Sequence, residues 1–118
     1  SKCTLGNINA KRDWGFAGDY VEAMWQMLQQ KEPINYVIAT GESHSVEEFL
    51  TIATEHAGLG DWHDLVDIDK ANMRPTDIDE LVGNASKAKE KLNWKPKTSF
   101  KELVKLMVDH DMDYFKLK

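Results

Sequence analysis

Three times along this chain an oxygen-bearing residue stands three places before a glutamate, and an apolar stripe at helical spacing follows. The three are Asp19-Tyr20-Val21-Glu22, Ser45-Val46-Glu47-Glu48 and Ser99-Phe100-Lys101-Glu102. In each, the cap oxygen can accept from a free N–H of the first turn while the glutamate bonds back to the cap's own N–H. The stripes are Val21, Met24, Trp25 and Leu28, then Val46, Phe49, Leu50, Ala53 and Ala57, then Phe100, Leu103, Val104, Met107 and Val108. Each helix must bury that face against something. Gly58 is a natural stop for the second. A short helix is expected over 85–92, capped by Asn84 and ended at Asn93, with Pro96 preventing continuation.

Between the first two helices, Tyr36-Val37-Ile38-Ala39-Thr40 is apolar, partly β-branched and closed by Gly41. It reads as a buried strand, and helix–strand–helix points to parallel pairing. Weaker strands are expected around 65–69 and 4–7. The predicted fold class is α/β (or α+β), with few short, partly parallel strands packed with about four helices. A single domain spans residues 1–118.

Composition narrows the function. With 42% hydrophobic and 30% charged residues the chain is globular. Its net charge of −5 argues against a nucleic-acid partner, and the lysines between Lys87 and Lys101 read as a solvated face. One cysteine, Cys3, excludes an intrachain disulfide and fits a reducing, cytoplasmic setting. No apolar run approaches membrane-spanning length, so no membrane contact is expected.

Most candidate chemistry dissolves on inspection. The four histidines form no His-x-x-x-His pair, and Asp109-His110-Asp111-Met112-Asp113 lacks the glycine and closing glutamate of a calcium loop. Ser43, His44 and Ser45 are neighbours in sequence, which triad members rarely are, and Ser45 is already a cap. Trp25 and Trp94 read as packing residues, whereas Trp14, close to Arg12, stays ambiguous. The arginines stand out. Only Arg12 and Arg74 occur, against thirteen lysines. Two planar guanidinium forks on separate non-helical segments can converge on a diphosphate. The competing reading is an ion pair with Asp13 or Asp77 that fixes loop shape.

At these residues the chain resembles the GDP-mannose 4,6-dehydratases, extended short-chain dehydrogenases/reductases of Rossmann type. The motifs are Leu5-Gly6-Asn7-Ile8-Asn9-Ala10-Lys11-Arg12-Asp13-Trp14-Gly15, Asp19-Tyr20-Val21-Glu22-Ala23-Met24-Trp25, and Tyr36 onward to Glu42. Arg74-Pro75 and Ser86-Lys87-Ala88-Lys89, with Leu92, Trp94, Lys95 and Pro96, complete the set. The resemblance implies the C-terminal, substrate-binding portion of such an enzyme, with the N-terminal dinucleotide-binding portion absent. It implies Arg12 and Arg74 on the diphosphate of GDP-mannose or a related sugar nucleotide, Asp77 near the ribose, and Asn7 in the same substrate set. Asp77 stands where the family usually has glutamate, Met73 where it has an aromatic, Gly83-Asn84-Ala85 for Gly-Asp-Pro, and Asn93 for glycine. The family's NADP site and its catalytic Ser/Thr, Tyr, Lys and Glu have no counterpart here, so no catalytic residue and no cofactor is assigned to this chain. Inactivity alone is expected, with an N-terminal catalytic half or a second copy of the chain as partner. The alternatives are a stand-alone binding or interaction module on the same scaffold, or half of a split enzyme.

Overall fold

The computed structural model describes residues 2–116. Its helices are α1 (Ala17–Leu28), α2 (Val46–Ala57), α3 (Ser86–Leu92) and α4 (Phe100–Tyr114). The strands β1 (Cys3–Leu5), β2 (Lys11–Arg12), β3 (His44–Ser45) and β4 (Val66–Ile68) are short. β1 runs parallel to β4 with Cys3 opposite Val66, and β2 antiparallel to β3 with Arg12 opposite His44. The architecture is α/β, helices packed with small, partly parallel sheets.

Local chemistry sets three of the helices. Ser45 Oγ accepts from the Glu48 N–H at 3.1 Å, and Glu48 Oε1 accepts from the Ser45 N–H at 3.3 Å, which starts α2. Gly58, at φ 72°, ends it. Ser99 Oγ accepts from the Glu102 N–H at 3.2 Å to start α4. Asn84 Oδ1 accepts from the Ser86 N–H at 3.0 Å beside the start of α3, and Asn93, at φ 53°, closes that helix.

Three expectations need correction. First, α1 begins three residues early, with Phe16 in the cap position and Asp19 inside the first turn. The Asp19 carboxylate is occupied elsewhere: its Oδ2 accepts from the Lys97 and Thr98 N–H groups at 3.1 and 3.0 Å. Its carbonyl accepts from the Trp94 indole N–H at 2.9 Å. Partners almost eighty residues away outcompete a local cap.

Second, residues 36–40 form no strand among the described residues. Tyr36 and Ile38 lean on the core and Ala39 is buried, while Val37 stays 53% exposed. A strand needs a ladder partner, and none is present among the described residues. Third, the stripe on α1 faces outward. Val21, Met24, Trp25 and Leu28 are exposed, Leu28 to 82%, and α1 buries Asp19 and Ala23 instead. Trp25 is therefore a surface residue, not a packing one.

Burial is split between two small cores. One joins Ala23 of α1 to Ala88, Leu92 and Trp94 around α3. The other packs α2 against α4, where Phe100, Leu103 and Val104 are buried and Trp14 sits 5.1 Å from Phe49. The molecule is a slab of 53 × 40 × 17 Å. Its radius of gyration of 17.2 Å exceeds the value of about 13.5 Å for a compact domain of this length. Its accessible surface of 8754 Å² exceeds the figure of about 6,500 Å² for a compact monomer of this mass. Much of the apolar pattern read in the sequence is thus left uncovered.

Asp19 joins the two ends of the α1–α3 core. Replacing it (Asp19→Ala) strands two N–H groups and is expected to cost about 3 kcal/mol in urea unfolding. Glu22→Ala, which removes only the exposed pair with Lys97, should change stability by less than about 0.5 kcal/mol.

Candidate functional site

β2 is pinned on both sides, and this aims the Arg12 side chain. On one side β3 pairs with it. On the other, the Lys11 N–H donates to the Asp79 carbonyl at 2.8 Å, and the Leu81 N–H donates to the Lys11 carbonyl at 3.0 Å. From this strand Arg12 reaches the loop that follows β4. Its NH1 donates to the Lys11 and Ile78 carbonyls, both at 2.7 Å, and its NH2 to Asp77 Oδ1 at 2.8 Å. The other Asp77 oxygen accepts from the Asn7 side-chain amide at 3.3 Å.

Arg74 lies on that same loop, just after the helical turn Lys70–Asn72. It is exposed, and no hydrogen bond or ion pair among the described residues involves its guanidinium. The structure brings all four expected residues together: Asn7, Arg12, Arg74 and Asp77 line one cavity of about 270 Å³, with Trp14 and Met73 in its wall. Gly6 lets the end of β1 approach this wall, since a Cβ there would lie 2.5 Å from the Asn72 carbonyl oxygen. The competing reading of Arg12 also holds, with Asp77 rather than Asp13 as its partner.

Asp13 does something the sequence did not announce. Oδ1 accepts from the Thr40 N–H at 2.9 Å and the Thr40 hydroxyl at 2.6 Å. Oδ2 accepts from the Gly41 and Gly83 N–H groups at 3.0 and 3.1 Å. One carboxylate ties together the end of β2, the extended segment and the loop before α3. Gly83 is required there because a Cβ would collide with the Ala39 methyl. Burial pushes the Asp13 carboxyl up. The bonds from the Thr40 hydroxyl and from the Thr40, Gly83 and Gly41 amides outweigh it and hold the group below its ordinary 3.8.

His44 is packed into the framework of the site. Its ring stacks on Phe100 at 4.0 Å, and Nδ1 lies 2.7 Å from Glu48 Oε2. Its carbonyl accepts from the Trp14 indole N–H at 2.8 Å. The bond to His44 holds the Glu48 carboxyl below its ordinary value, against burial and with help from the Ser45 amide. Among the described residues no three His, Cys, Asp or Glu side chains converge to hold a metal ion. No helix of the described residues is long and apolar enough to cross a membrane. A larger cavity, of about 630 Å³, lies between the C-terminal ends of α2 and α4. Its lining is mostly apolar, with Ala53, Ala57, Leu59, Val108, Met112 and Phe115, and it presents no second cation beside Lys116. The small cavity holds both of the chain's arginines.

The Asp13 contacts carry a definite pH sign. A carboxyl lowered by folding contributes stability above its unfolded value, and that contribution is lost as pH falls through the folded value. Asp13→Asn should therefore cost about 2 kcal/mol at pH 7. The gap between variant and parent should shrink once the pH drops below 3.8, as read by unfolding curves from neutral to acid pH.

Comparison with known proteins bears on this geometry. A family model described as GDP-mannose 4,6 dehydratase matches residues 1–107. GDP-mannose 4,6 dehydratase 1 of Arabidopsis thaliana is 60% identical over 116 residues, covering 98% of this chain and 32% of that protein. The human GDP-mannose 4,6 dehydratase is 48% identical over 128 residues, covering 93% and 34%. Among solved structures, the dTDP-glucose 4,6-dehydratase of Bacillus anthracis in complex with NAD superposes with TM-score 0.84 at 18% identity, over 98% of this chain and 36% of that one. The UDP-glucose 4-epimerase of Thermotoga maritima with UDP-glucose gives 0.83 at 24% identity, over 97% and 36%. These two show the fold. The chain spans about a third of the length of the relatives it matches, and it belongs to the GDP-mannose 4,6 dehydratase family.

Proposed function

We propose that this chain is the sugar-nucleotide-binding portion of a GDP-mannose 4,6-dehydratase, an NADP-dependent lyase when whole. The observation that carries this reading is the cavity in which Arg74 presents an uncommitted guanidinium beside Arg12, Asn7 and Asp77. Two segments more than sixty residues apart place the chain's only two arginines at one opening, a geometry suited to a diphosphate. A cavity of about 270 Å³ holds a diphosphate with part of its flanking sugars rather than the whole ligand. NADP and the reacting groups are assigned to the two thirds of the relatives' length that this chain does not span.

The uncovered apolar surface supports the same reading. The outward stripe of α1 and exposed Val37 are features of a face built to meet another body. The backbone of 36–39, which joins no ladder among the described residues, can accept a neighbouring strand. We assign this face to the remainder of the enzyme. In its absence a second copy of the chain takes its place.

GDP should bind the purified chain in calorimetry, and Arg74→Ala should weaken it by tenfold or more, the loss of a charge-assisted contact. Added NADP and GDP-mannose should yield no 4-keto sugar. Turnover by the chain alone would place the chemistry here after all. In light scattering the apparent mass should rise with concentration and return to that of one chain in the double variant Met24→Glu, Trp25→Glu. A concentration-independent single-chain mass in the parent protein would remove the docking face.

A further inference from the structure

We infer that the apolar groove between the ends of α2 and α4 docks a basic amphipathic helix of another protein. This surface is separate from the arginine cavity, with which it shares no lining residue. α2 and α4 run side by side in one direction. Near their starts Phe49 and Phe100 pack edge to face with ring centroids 6.3 Å apart. Near their ends His56 Nε2 lies 2.7 Å from Asp109 Oδ1. The groove opens there, with Ala53 and Ala57 of α2 on one side and Val108 and Met112 of α4 on the other.

Small side chains on one wall leave a hollow of about 630 Å³. Leu59, Met112 and Phe115 line it as well, and each is more than half exposed. Large apolar side chains gathered round one opening mark a surface that another body covers. The shape suits a helix. Two helices packed alongside leave a furrow, into which a third lays residues at i, i+3, i+4 and i+7.

The charge suits a basic helix. Because α2 and α4 are parallel, both bring the negative end of the helix dipole to this end of the groove. α4 has no basic residue in its last turn, and the one in that of α2, His56, is engaged by Asp109. From 109 to 116 the chain sets Asp109, Asp111 and Asp113 against a single lysine, Lys116. The exposed ring of His110 lies 3.2 Å from Asp111. A helix flanked by lysine or arginine supplies the cations that these carboxylates and helix ends lack. A second copy of this chain suits the groove less well, because it would set the same aspartates and negative helix ends against each other.

The probe is a fluorescent peptide of about 18 residues, long enough to form a helix on binding, with Leu at that spacing and Lys elsewhere. Its counterpart carries Glu in place of Lys. In anisotropy titrations the purified chain should bind the Lys peptide saturably, several-fold more weakly at high salt, and should not bind the Glu peptide. Met112→Glu adds charge of the sign the Lys peptide prefers but removes an apolar contact. It should keep the parent melt and weaken the peptide about tenfold. Asp111→Asn with Asp113→Asn should weaken it several-fold and flatten the salt dependence. The Met24→Glu, Trp25→Glu variant should bind it as the parent does, since α1 belongs to the other core. Binding by Met112→Glu at least as tight as the parent's would reduce the effect to charge alone and overturn the docking site. Equal binding of the Glu peptide, or loss of binding in the α1 variant, would overturn it too. So would a parent chain that ignores the Lys peptide; if Met112→Glu then also lowers the mass seen in light scattering, the occupant is a second copy.

Discussion

Four hydrogen bonds to the Asp13 carboxylate hold this molecule in its working shape. They gather the Thr40, Gly41 and Gly83 N–H groups and the Thr40 hydroxyl at the end of β2, while Asp19 ties α1 to the residues just before α4. An ionised acceptor makes each bond stronger than a neutral one would, and Gly83 supplies the close approach that a side chain would block. The adjacent residue is Arg12. A knot that fixes Asp13 therefore fixes the strand from which the guanidinium departs.

Thinness is the other side of this arrangement. At 17 Å across in its shortest dimension, the chain has room for little more than one layer of helices on short strands. Val104 is the largest side chain among the described residues that is fully buried. Domains ordinarily reach stability by packing two layers around one core. Here the stripe of α1 faces outward and residues 36–40 join no ladder among the described residues; the chain spans about a third of the length of the relatives it matches.

Signals that act within one turn of chain were legible in the sequence. The Ser45–Glu48 capping box, the Gly58 stop and the left-handed Asn93 each depend on neighbours within five residues, and each stands where its chemistry puts it. Ser99 does the same for α4. Interactions across long separations were not legible. Asp19 has the spacing of a cap, but Lys97 and Thr98 claim its carboxylate. Residues 36–40 have strand composition, but composition cannot supply the partner that makes a strand. The arginines fall between these cases. Their scarcity singled them out, and the cavity unites them, yet only coordinates reveal that Asp77 has already claimed one of them. Asp13 left no signal beyond its place beside Arg12, because a four-bond knot between Thr40, Gly41 and Gly83 has no sequence spacing of its own.

What matters most is where an anion sits on this molecule. A crystal structure of the chain grown with GDP tests this most directly. The diphosphate is predicted within hydrogen-bond reach of the Arg74 guanidinium, in the cavity bounded by Asn7, Trp14 and Asp77, with Arg12 still bonded to Asp77. Density for the diphosphate elsewhere on the molecule, with the Arg74 guanidinium left in solvent, would contradict it.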